Sequence, residues 1–88
     1  MSSFKVTVLF FAKSRELAGG RNQVEFAISE LSCELSKFIN ERLLKEFPAL
    51  SEILDSCSFA VNASYVEDAQ HVLRSGDTVA IIPPISGG

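Results

Sequence analysis

The sequence predicts an α+β fold: a mixed β-sheet, one main helix packed across one of its faces, and a flexible C-terminal tail. Three observations carry this. The first and last strand-like segments, 4–11 and 78–82, are apolar on both faces, the mark of strands covered on two sides. A single long segment between them has helical periodicity. Pro83 and Pro84 then stop the last strand.

The first strand, Phe4 to Phe11, is β-branched and aromatic. Phe4, Val6, Val8 and Phe10 line one face, while Leu9 and Phe11 make the other face apolar too. Ala12 to Ala18 contains good helix formers and runs into Gly19-Gly20, which reads as a short helical turn ended by glycine. Gln23 to Ile28 alternates with Val24, Phe26 and Ile28 on one side, a second strand. The main helix follows, with Ser29 and Ser32 as candidate N-caps. Leu31, Leu35, Phe38, Ile39, Leu43 and Phe47 form one apolar stripe, and Pro48 ends it. Ala49 to Leu54 has room for one further turn. Phe59 to Ala63 reads as a third strand and Tyr65-Val66 as a short return strand. Glu67 to Arg74 reads as a connection, Arg74 to Asp77 as a turn, and Thr78 to Ile82 as the last strand.

The first and last strands are the most apolar, so they belong at the centre, adjacent and therefore parallel, with the helix crossing one face. That arrangement is a β-grasp, or ubiquitin-like, fold. One helix covers one face only. The opposite face, with Leu9 and Phe11, needs another cover: a partner protein, or the 67–74 connection folded over it.

At 88 residues the chain is expected to be a single domain, with a core of about 4–83 and a functional tail at 84–88. Such a chain buries roughly 60–65% of its unfolded surface, enough for a thin core. Eight basic against eleven acidic residues, net charge −3, argue against a nucleic-acid partner. After Lys45 the only basic residue is Arg74, so the second half presents a negative field. No apolar run is long enough to span a membrane, and the start of the chain does not read as a secretory signal. With two cysteines, too few for a disulfide framework, the cytosol is the expected compartment.

No conventional active site is visible. His71 is the only histidine, so neither a Ser-His-Asp set nor a histidine-rich metal site can be assembled, and no metal is expected. Cys33 and Cys57 read as small buried hydrophobes. The end of the chain is different. Gly87 and Gly88 have no side chains and can pass through a channel where any Cβ would clash. Pro83 and Pro84 hold the start of the tail extended, which lowers the entropy lost on docking. Pro84 to Gly88 reach roughly 17 Å when extended, with Ile85 as an apolar anchor and Ser86 a small residue beside the glycines. A carboxylate becomes an electrophile only when its oxygen is made to leave. Adenylation does that, and sulfur can then replace the adenylate. The site read from the sequence is thus the carboxyl group of Gly88.

Val8-Leu9-Phe10-Phe11-Ala12-Lys13 with Glu16-Leu17-Ala18-Gly19, and Val61-Asn62 with the run from Gly76 to Gly88, resemble the small subunits of molybdopterin synthase, the MoaD-type sulfur carriers. The resemblance spans essentially the whole chain; Ser86 stands where many members have alanine or threonine. It implies a non-catalytic, sulfur-donating subunit of a sulfurtransferase. An E1-like adenylyltransferase and sulfurtransferase would consume ATP to adenylate Gly88, and a thiocarboxylate would follow, with no permanently bound cofactor. The tail, Pro83 to Gly88, would enter the large subunit of a heterotetramer of two small and two large subunits. There it would donate sulfur to cyclic pyranopterin monophosphate, forming the molybdopterin dithiolene. Leu9 and Phe11 would lie on the docking surface. A thiamin-type sulfur carrier and a ubiquitin-like protein modifier share the fold and the Gly-Gly end, and remain alternatives.

Overall fold

The computed structural model describes residues 4–28 and 33–84. Among these, the strands in chain order are β1 (Phe4–Phe10), β2 (Gln23–Ile28), β3 (Cys33–Glu34), β4 (Ser58–Val61), β5 (Ser64–Val66), β6 (Val72–Leu73) and β7 (Thr78–Ile82). Five of them form one sheet in the order β2-β1-β7-β4-β5, and β3 pairs with β6 in a separate two-stranded ladder. β1 and β7 are adjacent and parallel, in register from Thr7↔Thr78 to Phe10↔Ile81, as their two-sided apolarity requires. Every other pairing in the main sheet is antiparallel.

The strands alternate inward and outward. Val8, Val79 and Val61 form one cross-strand row, and Phe10, Ile81 and Phe59 the next, both facing the helix. Val6, Val8, Phe10, Val79 and Ile81 are fully or almost fully buried, as are Phe38 and Leu43 from the helix above them. Two edge-to-face ring pairs join the layers: Phe10 with Phe47 at 5.3 Å and Phe26 with Phe38 at 5.2 Å between centroids. Each contributes about 0.5–1.5 kcal/mol beyond its burial. Leu50, in a 3₁₀ turn over Pro48–Glu52, closes the core from the side.

The main helix, 35–46, departs from the regular α-helix that its stripe suggests. It opens as α over Leu35–Phe38, widens to a π-helical segment over Ile39–Leu43, and closes as α over Leu44–Glu46. The reason lies in the spacing. Phe38 and Leu43 are five residues apart, yet both are fully buried. A wider turn brings i and i+5 onto one face, which an α-helix does not. The helix ends at Phe47, whose φ −131° and ψ 72° lie outside the helical region that a following proline disfavours.

The 67–74 segment is more than a connection. Its carbonyls cap the helix: the Leu35 N–H donates to His71 O at 2.8 Å and the Ser36 N–H to Ala69 O at 2.9 Å. Backbone from a distant segment thus satisfies donors that a capping side chain otherwise takes. The candidate caps Ser29 and Ser32, and the stripe residue Leu31, lie outside the described residues.

Candidate functional site

The candidate site lies where β7 leaves the sheet. The Phe10↔Ile81 pairing carries Ile82 and Pro83 out alongside Phe11. At this point β1 turns sharply. Ala12 sits at φ 51°, ψ −125°, and the Ser14 N–H closes a turn onto Phe11 O at 3.0 Å. Ser14 is buried, with its hydroxyl accepting the Phe11 N–H at 2.9 Å and donating to Phe11 O at 2.7 Å; Ile81 O lies 3.4 Å away. A buried hydroxyl that both accepts and donates fixes this corner beside the end of β7. The short helix Lys13–Leu17 follows. It ends on Gly19 and Gly20, both at positive φ, with the Gly20 N–H donating to Arg15 O at 2.9 Å.

The sheet face away from the helix is open. Leu9, Ala80, Ala60 and Tyr65 form one row across four strands. Two alanines at the centre leave a shallow depression of about 460 Å³, bounded by Leu9 and Phe11 on one side and Tyr65 on the other, with Ile82 beside them. Phe11 is 42% exposed and Tyr65 70% exposed, while Leu9 is half-buried. The 67–74 segment does not line this depression; it is committed to the helix terminus and to the β3–β6 ladder. Of the two covers the sequence left open, the chain's own loop is thus excluded.

Pro83 is half-buried and Pro84 exposed at the exit. Ile85, Ser86, Gly87 and Gly88 lie outside the described residues. Tyr65 is the residue lining this depression that the sequence analysis did not single out. The signal was present: in a strand pair whose Val61 and Val66 face inward, Ala60 and Tyr65 must face outward.

The remaining candidates separate cleanly. His71 is half-buried and serves the fold through its carbonyl. Among the described residues, no group of three or more His, Cys, Asp or Glu is placed to hold a metal ion. Cys33 is buried, and Cys57 is half-buried with its thiol pushed above its ordinary value by burial. A thiol in that setting is a weaker source of thiolate, not an activated sulfur nucleophile. No helix among the described residues is long and apolar enough to cross a membrane.

Residues 8–88 match the ThiS family. The chain belongs to the ThiS family. Among the relatives of this ThiS-family chain, the molybdopterin synthase sulfur carrier subunit of Homo sapiens is 41% identical, with 96% of this chain and 94% of the relative aligned. Among solved structures, the complex of subunits 1 and 2 of the molybdopterin-converting factor from Helicobacter pylori contains a similar chain. The TM-score is 0.65 at 26% identity, covering 97% of this chain and all of that one. The small archaeal modifier protein 1 of Methanosarcina acetivorans superposes with a TM-score of 0.78 over the full length of both chains. At 22% identity that likeness speaks to the β-grasp fold alone.

Proposed function

We propose that this chain is a sulfur carrier for molybdenum cofactor biosynthesis, the small subunit of a molybdopterin synthase, with the carboxyl carbon of Gly88 as its working atom. The observation that carries this is the 41% identity, along nearly the whole of both chains, to a molybdopterin synthase sulfur carrier subunit. The family match also runs through Gly87 to Gly88. The geometry supports it: a proline-stiffened exit, Pro83-Pro84, leaves the sheet at the rim of an open apolar face.

The chemistry proceeds as follows. An oxygen of the Gly88 carboxylate attacks the α-phosphorus of ATP held by an E1-like partner, and pyrophosphate leaves. A hydrosulfide equivalent from a sulfur donor attacks the acyl carbon, AMP leaves, and a thiocarboxylate remains. The open face around Leu9, Phe11 and Tyr65 docks on the large subunit, and the tail enters that subunit's pocket. There the thiocarboxylate sulfur bonds to cyclic pyranopterin monophosphate, water cleaves the acyl C–S bond and restores the Gly88 carboxylate, and two loaded carriers in succession supply the two sulfurs of the dithiolene. The assembly is a heterotetramer of two small and two large subunits. Positioning by a docked face and a thin tail supplies the effective concentration that transfer needs. Acid–base groups belong to the large subunit, and the small subunit works without a resident metal or cofactor, in the cytosol.

Intact mass spectrometry of the chain from sulfur-replete cells tests the reading. One oxygen replaced by sulfur at Gly88 is expected. A ladder of isopeptide-linked species would instead make the protein a modifier, and activity retained after deletion of Gly88 would sink the proposal.

A further inference from the structure

A second groove, of about 850 Å³, lies on the helix side of the sheet, between the main helix and the β4–β5 edge. Its floor is apolar: Ile39 and Leu44 from the helix, Leu54 from the following turn, and Phe59 and Val66 from the strands, all half-buried. Its acidic lining residues are Asp55, Glu67 and Asp68, all exposed, and no lysine, arginine or histidine lines it. One Asp68 carboxylate oxygen accepts the Gln70 N–H at 2.8 Å, which fixes that side of the rim. β5 is the edge strand here, paired only with β4 among the described residues. An apolar floor with a rim of one charge sign, beside an unpaired strand edge, selects a short extended segment that alternates apolar and basic residues.

We propose that this groove is a second docking site, for a basic-apolar segment of another protein. It goes beyond the carrier reading, because the tail, Leu9 and Phe11 take no part in it. The groove faces the opposite side of the sheet from Leu9 and Phe11, and Tyr65 alone borders both depressions. A protein held in the groove therefore stays attached while the open face is engaged.

The test uses the full chain, labelled with ¹⁵N, and an eight-residue end-capped peptide alternating valine and arginine. Chemical-shift changes are expected at Ile39, Leu44, Phe59, Val66 and Glu67, with Leu9 and Ala80 unmoved. The rim variant Asp55→Arg with Glu67→Arg, both at exposed positions, should weaken binding at least about tenfold. Glu41→Arg with Glu46→Arg, which makes the same change in net charge on the helix outside the groove, should weaken it far less. Shifts centred on the Leu9–Phe11 face, equal weakening by the two variants, no binding, or occupation of the groove by a second copy of the chain would each overturn the proposal.

Discussion

Asn62 and Asp77 lock the start of β7 to the turn between β4 and β5. The Asn62 amide donates to Asp77 Oδ1 at 2.9 Å, while its own oxygen accepts the Thr78 N–H at 3.0 Å. Asp77 Oδ2 accepts the Arg74 N–H at 2.8 Å, so the same carboxylate also closes the turn before β7. Replacing Asn62 with alanine removes two bonds and leaves a Cβ residue at φ 51° without a side chain that favours it. Asn62→Ala should cost about 1–2 kcal/mol, since the bonds are solvent-exposed and net hydrogen bonds are modest. Urea unfolding measures this; a loss well under half of that would show the lock to be dispensable.

Ala63 follows in the same turn at φ 71°, where asparagine is tolerated and glycine preferred. Ala63→Gly should stabilise the protein by about 0.5–1 kcal/mol, after the added flexibility of the unfolded chain is subtracted. Thermal unfolding should shift upward by a few degrees. A fall in Tm would mean that the turn is unstrained.

Leu9→Asp, Phe11→Asp and Tyr65→Ala each damage the open face. Anchors at the centre of an interface are each worth about 2 kcal/mol, or roughly thirtyfold in affinity. Titration against the large subunit should show losses of that order, while the helical circular dichroism is kept. Affinity unchanged in all three variants would move the docking surface elsewhere.

The Cys57 thiol is raised above its ordinary value of 9.0 by burial. The folded state thus holds the proton more tightly than the unfolded chain does. The contribution to stability is complete below the unfolded value and is lost as pH rises through the folded one. Stability should be flat through neutral pH and decline above pH 9.0. Comparison with Cys57→Ser across that range isolates the effect, and an identical decline in the variant would assign it to other groups.

The two-sided apolarity of 4–11 and 78–82 made the centre of the sheet legible, because strands apolar on both faces belong in the middle of a sheet and not at its edge, even though the helix covers only one of those faces. The glycine stop after Leu17 and the proline stop after Phe47 were legible because each residue type has one backbone reason to stand there. The β3–β6 ladder was not: two-residue strands have no period, and their register is set by the helix terminus they flank. The π segment was hidden for a related reason. The stripe can be read with an α-helical period, and only the joint burial of Phe38 and Leu43 reveals the wider turn. At the site, Leu9 and Phe11 stood out as apolar residues on a strand's second face, whereas Tyr65 needed the β4–β5 pairing to fix its direction. Gly88 carries the strongest sequence signal and lies outside the described residues.

β7 lies between β1 and β4, so the middle of the sheet is the part translated last. Without residues 78–82, β1–β2 and β4–β5 are two separate hairpins with no strand between them. A chain cut before residue 78 lacks the strand that joins the two halves of the sheet. The strand that joins the two halves of the sheet is thus the same strand that runs into Pro83 and Pro84, so disturbing the centre of the sheet disturbs the exit as well.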